Sequence, residues 1–168
     1  MVLWDIAANN QTQLSDMPGQ IIRVYPASGA NAMLPLTPAN NYTPTILFCG
    51  GQHMEDSQWG NYSYPFVPTW LIPASSDCHR ITPEPTDGSS PDYVQDDNLQ
   101  IGRTMGQFIA LPDGTFLILN GAQNGTAGYA QRVLAVTQDQ IPYGESLASG
   151  PLDQPAIYNN PNAPAGSR

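Results

Sequence analysis

The chain has 168 residues, of which 15 are Gly, 17 are Pro and only 11% are charged. Its five basic side chains, all Arg, face 14 acidic ones, and the net charge of −9 repels a phosphate backbone, which excludes nucleic acid as a partner. No apolar stretch approaches the roughly 18 residues that cross a bilayer as a helix, so no membrane partner is expected.

Taken in chain order, the residues read as short strands separated by turns. Residues 2–6 form a strand, Asn9-Asn10 a turn, and 13–18 a shorter, more polar strand. Strands over 21–25, 31–36 and 45–50 follow. Residues 52–77 are a long loop containing Trp59, Tyr62, Tyr64, Phe66 and Trp70. Loops of that length in compact domains are usually functional or disordered, and the aromatics predict an ordered, packed one. A short strand over 78–82 leads through a Pro/Ser/Asp/Gly loop at 83–91 into a polar outer strand over 93–100. Residues 103–111 and 115–120 form a hairpin around Asp113-Gly114, a strong turn signal between apolar runs. Residues 123–128 read as a Gly-rich turn, 130–136 as a helical turn or a strand, and 142–155 as loop. Residues 156–158 form a last strand before the Pro-rich tail 160–168. Only residues 127–136 show even weak helical periodicity.

Two of these units repeat one design. Met33-Leu34-Pro35-Leu36 leads through a turn into Thr45-Ile46-Leu47-Phe48-Cys49-Gly50-Gly51. Ile109-Ala110-Leu111-Pro112 leads likewise into Thr115-Phe116-Leu117-Ile118-Leu119-Asn120-Gly121, roughly 70 positions later. Repetition at that distance predicts an array of antiparallel sheets. With four strands per sheet, 2–18 ends one blade, 29–99 is a complete blade and 103–159 most of a third. On that count the chain starts and stops within blades. Such a slice exposes apolar faces and strand edges, so self-association is expected.

The order and spacing of several stretches resemble the copper radical oxidases of the glyoxal oxidase type, whose catalytic domain is a kelch-like propeller as in galactose oxidase. They include Leu3-Trp4-Asp5-Ile6, Pro44-Thr45-Ile46-Leu47-Phe48-Cys49-Gly50-Gly51 and Asp77-Cys78-His79-Arg80-Ile81. Gly102-Arg103-Thr104-Met105-Gly106, Leu111-Pro112-Asp113-Gly114 and the run from Asn120 to Tyr129 continue the match, as do residues 157–168. The resemblance implies an all-β fold: a partial kelch-like β-propeller of about two to three four-stranded blades. It implies a parent enzyme that oxidises an aldehyde or alcohol while O2 becomes H2O2. That chemistry uses a Cu(II) held by two Tyr and two His, with one Tyr thioether-linked to a Cys. None of these ligand positions falls within the matched residues, and neither His53 nor His79 matches one. The chain alone is therefore expected to bind no copper, to lack catalytic residues and to need the remaining blades as partners. Enzyme activity of these residues by themselves stays open.

The same resemblance nominates Glu55, Asp56 and Met105 as pocket-wall positions. Cys49 and Cys78 flank the aromatic loop; a disulfide is expected in an oxidising compartment, with two buried free thiols as the alternative. Asn-X-Ser/Thr sequons occur at Asn10, Asn41, Asn61 and Asn124, and Pro44 weakens the one at Asn41. The sequons, acidity and cysteines point to a secreted parent, although the first residues lack the basic and apolar regions of a signal peptide. Residues 123–128 lack the Lys of a phosphate-binding loop, and no Ser-His-Asp set can be assembled from two His. The rival expectation is a non-catalytic kelch-type binding module that stacks carbohydrate on its loop aromatics.

Overall fold

The computed structural model describes residues 1–55, 58, 69–130 and 145–158. These residues form an all-β arrangement of small antiparallel sheets, propeller-like in character and not closed into a barrel. β1 (Val2–Asp5) pairs with β2 (Asn10–Gln13). β3 (Ala30–Met33), β4 (Ile46–Cys49), β5 (Cys78–Ile81) and β6 (Tyr93–Gln95) make a four-stranded meander in sequential order. β7 (Gln107–Ala110) pairs with β8 (Phe116–Leu119), while β9 (Ala122–Ala130) and β10 (Glu145–Pro151) form a separate two-stranded ribbon. The chain returns from that ribbon to lay β11 (Ala156–Tyr158) on the free edge of β8.

Period-two burial explains why the central strands form. On β4, Leu47 and Cys49 are buried, and on β8 Phe116 and Ile118 are, while their neighbours are more open. Leu34, Leu47, Cys49, Cys78, Phe116 and Tyr158 make one core cluster that joins the four-stranded sheet to the β7-β8-β11 sheet. Phe108 packs edge-on against both Phe116 (5.8 Å) and Tyr158 (5.9 Å). Each fully buried side chain of this size contributes about 1.5–3 kcal/mol. At the centre of the cluster Cys49 and Cys78, directly opposite in the β4–β5 ladder and both 0% exposed, are joined as a disulfide.

The repeated hairpins close in the same way. Leu34 N donates to Thr45 O (2.8 Å) beyond β3 and β4, and Leu111 N to Thr115 O (2.9 Å) beyond β7 and β8. In the shorter turn Asp113 Oδ1 accepts from the N–H (3.0 Å) and hydroxyl (2.7 Å) of Thr115. In the longer one Thr37 and Asn40 cap each other around a 3-10 turn at Pro38–Asn40. Asp113 thus serves turn geometry.

Four segments depart from the reading of the sequence. The second strand is Asn10–Gln13, not 13–18, because Asp5 Oδ1 caps Ala8 N (3.0 Å) and tightens the turn ahead of it. Residues 21–25 form no strand; Ile22 makes one isolated bridge to Gln52 before the backbone turns on itself through Ser28 N to Val24 O (3.0 Å). Residues 123–128 belong to β9, and 145–151 to its partner rather than to a loop. The glycines that suggested a turn allow close strand approach instead: a Cβ on Gly125 would lie 2.1 Å from Leu147 O. Beyond β9, residues 131–136 lie outside the described residues.

Candidate functional site

One end of the sheets gathers the loops that follow the repeated hairpins. Gly50-Gly51 ends β4 and Asn120-Gly121 ends β8. Both terminal glycines have left-handed backbones, Gly51 at φ 95° and Gly121 at φ 94°. A Cβ on Gly51 would sit 2.4 Å from Ile22 O, and one on Gly121 2.2 Å from Thr104 O, so only glycine fits either place. The closeness allows backbone bonds between loops: Gly51 N donates to Arg103 O (2.9 Å), Met105 N to Ser28 O (2.7 Å) and Ala127 N to Pro26 O (2.7 Å). Gln52, 0% exposed, ties in two more segments by donating from Nε2 to Ile72 O (3.1 Å) and Gly125 O (2.9 Å). Gln52 acts as a fastener between loops, a role that its lone polar position after Gly-Gly does not announce in the sequence.

Of the residues nominated as pocket wall, Met105 falls at this end. Met105 is half-buried with a left-handed backbone (φ 55°), a conformation sparsely populated by residues with a side chain. Glu55 is exposed and its N–H donates to Gln58 Oε1 (2.9 Å). Asp56 lies outside the described residues, as do Trp59, Tyr62, Tyr64 and Phe66 of the aromatic loop. Trp70 is half-buried in a 3-10 turn, where its carbonyl accepts from Ser149 Oγ (2.6 Å).

A charged cluster that sequence reasoning did not assemble stands beside this end, around Asp77 just ahead of β5. Asp77 Oδ2 accepts from Arg23 Nη2 (2.7 Å) and is bonded to His79 Nδ1 (2.8 Å), while Oδ1 accepts from Gln95 Nε2 (3.2 Å). Arg23 is the most enclosed of the group, with its side chain 5% exposed. Burial pushes the Asp77 carboxyl upward, yet the hydrogen bonds from Arg23, then Gln95 and His79, outweigh it and hold the group below its usual value. Burial is likewise the main influence on Arg23, lowering it against the pull of Asp77.

Several groups able to ligate a metal have partners within the chain. His79 has its Nδ1 committed to Asp77, both cysteines are consumed by the disulfide, and the Tyr158 hydroxyl donates to Asp97 O (3.1 Å). Burial, then the charge of Asp97, pushes that phenol upward, against ionisation. Among the described residues, no three His, Cys, Asp or Glu side chains are grouped to hold a metal. His53 is exposed on its loop. No helix of the described residues is long and apolar enough to cross a membrane.

The sequons differ in setting. Asn10 and Thr12 are both exposed on β2. Asn124 is half-buried, its amide donating to Ser149 Oγ (3.3 Å), and Thr126 of the same sequon is wholly buried. Asn61 lies outside the described residues.

Comparison with known proteins supplies the family. A model described as the glyoxal oxidase N-terminus matches residues 1–164. Aldehyde oxidase GLOX of Vitis pseudoreticulata is 33% identical over 148 residues, covering 87% of this chain and 22% of the relative. Aldehyde oxidase GLOX1 of Arabidopsis thaliana is 27% identical over 161 residues, covering 93% of this chain and 22% of the relative. Art an 7 of Artemisia annua is 36% identical over 110 residues, 64% of this chain and 18% of the relative. The chain therefore spans about a fifth of the length of these relatives. With nearly every residue inside the family match, the chain belongs to the glyoxal oxidase N-terminus family.

Proposed function

We propose that this chain is a segment of a secreted copper radical oxidase of the glyoxal oxidase type, contributing scaffold and pocket wall but none of the copper ligands. The observation that carries the reading is the family match over residues 1–164 in a chain that spans only about a fifth of the relatives' length. The disulfide supports it, since it takes both cysteines of the chain out of any thioether link to a tyrosine. The parent would convert an aldehyde, water and O2 to a carboxylic acid and H2O2, or an alcohol and O2 to an aldehyde and H2O2, with copper supplying the redox chemistry when bound. The buried disulfide and the exposed sequon at Asn10 favour an oxidising, secreted setting.

In this reading β1–β2 closes one kelch-type blade, β3–β6 is a complete blade, and β7, β8 and β11 are most of the next. The remaining blades are its partners. Met105, Glu55 and Asp56 would face the pocket that takes the aldehyde. The test is to load the chain with Cu(II), add glyoxal or methylglyoxal, and assay peroxide beside the full-length parent. Turnover by the parent alone is the expected result; turnover by the chain would overturn the assignment of the ligands to other residues.

A second reading, a kelch-type carbohydrate-binding module, is favoured by a hydroxyl-lined hollow of about 440 Å3 among Asn41, Thr43, Thr45, Thr82 and Asp87. Titration with soluble oligosaccharides separates the two, since only this reading expects saturable chemical-shift changes there.

A further inference from the structure

At the loop end of each repeated hairpin an arginine packs across two glycines, and among the described residues only one of the two meets a carboxylate. Arg23 lies across Gly29 and Gly51, where added Cβ atoms would come within 2.9 and 3.0 Å of its side chain. Arg103 lies in the same way across Gly106 and Gly121, at 2.5 and 3.0 Å. The residues before Gly29 and Gly106, Ser28 and Met105, both have left-handed backbones and are bonded to each other. Arg103 thus packs on its pair of glycines as Arg23 does on its own.

Their surroundings differ. Asp77 stands opposite Gly50, one step beyond the Cys49–Cys78 pair, and its carboxylate meets Arg23. In the second sheet the β8–β11 ladder ends at the Ala156–Ile118 pair, and Gln154, two residues before it, lines a cavity together with Arg103. The polar side chain of Gln154 that shares this cavity with Arg103 is an amide rather than a carboxylate. Arg103 is 4% exposed, donates from Nη1 to Asn120 O, and keeps Nε buried without an acceptor. Among the described residues it has no carboxylate partner. Burial pulls its pKa down with no opposing charge, in contrast to Arg23. A buried cation without a counter-charge is costly. Beside it opens a cavity of about 90 Å3, lined by Arg103, Gln154, Leu99, Ile118 and Ala156. That is ample beside the roughly 10–15 Å3 that admits one water.

We propose that this cavity binds a one- or two-carbon carboxylate, its oxygens accepting from the Arg103 guanidinium and its carbon end against Leu99 and Ile118. Charge-assisted bonds to a fork-shaped guanidinium suit a carboxylate better than a spherical anion. The experiment titrates the 168-residue chain into 13C-acetate at fixed ionic strength and follows line broadening by NMR. Saturable broadening is expected for the parent and for Gln154→Ala, which leaves Arg103 open. In Gln154→Asp the new carboxylate takes the guanidinium as Asp77 takes that of Arg23, and acetate affinity drops at least tenfold. No saturable broadening in the parent, or unchanged affinity in Gln154→Asp, would overturn the proposal.

Discussion

Replacing Asp77 by Asn tests the charged cluster most directly, because the amide preserves shape and removes charge. Arg23 is nearly sealed (side chain 5% exposed) while Asp77 is 25% exposed. Removing one partner of a fully buried ion pair costs about 3–5 kcal/mol. Two features lower that figure: solvent reaches one side of Asp77, and Arg23 keeps its bond to Asp77 O (2.9 Å). The expected loss is about 2–3 kcal/mol, which shifts a urea midpoint down by roughly 1–1.5 M for a chain of this size. The sign of the pH effect follows from the depressed carboxyl. Its contribution is complete above the unfolded value of about 4 and disappears as pH falls through the folded value. Urea midpoints measured at pH 7 and at pH 3 should therefore lie closer together in Asp77→Asn than in the parent. Equal acid sensitivity of the two proteins, or a variant as stable as the parent at pH 7, would refute the argument that this carboxylate holds Arg23 in place.

The disulfide closes a loop of 29 positions, for which chain entropy gives about 3–4 kcal/mol, so Cys49→Ala with Cys78→Ala should lower the urea midpoint of the oxidised chain by 1 M or more. Because both sulfurs are buried, thiol labelling after reductant should track unfolding, and rapid labelling of the folded chain would contradict the burial. Gly121→Ala forces a Cβ to within 2.2 Å of Thr104 O at φ 94° and should destabilise by at least 2 kcal/mol on the scale of backbone strain, read by chemical denaturation. Val2, Trp4 and Ile6 are each about half exposed or more, so light scattering should show concentration-dependent association that Trp4→Lys weakens. A parent that stays monomeric at all concentrations would contradict that.

The alternation of apolar residues, the Asp113-Gly114 turn and the two copies of Leu-Pro followed by a strand and Gly-Gly or Asn-Gly were enough to determine an all-β chain with its central hairpins. Those signals are local: a turn and a pleat depend on residues within a few positions of each other. The β9–β10 ribbon was not legible, because its glycines and serines gain their strand conformation from a facing backbone, as Gly125 does against Leu147 O. The same limit hid Gln52, whose partners Ile72 and Gly125 are distant in the chain, and the meeting of Arg23 with Asp77 across 54 positions. That Arg23 receives a carboxylate is decided by strand register, which sets Asp77 opposite Gly50. Register is a property of pairing, set by the core between the sheets, and only the folded chain fixes it.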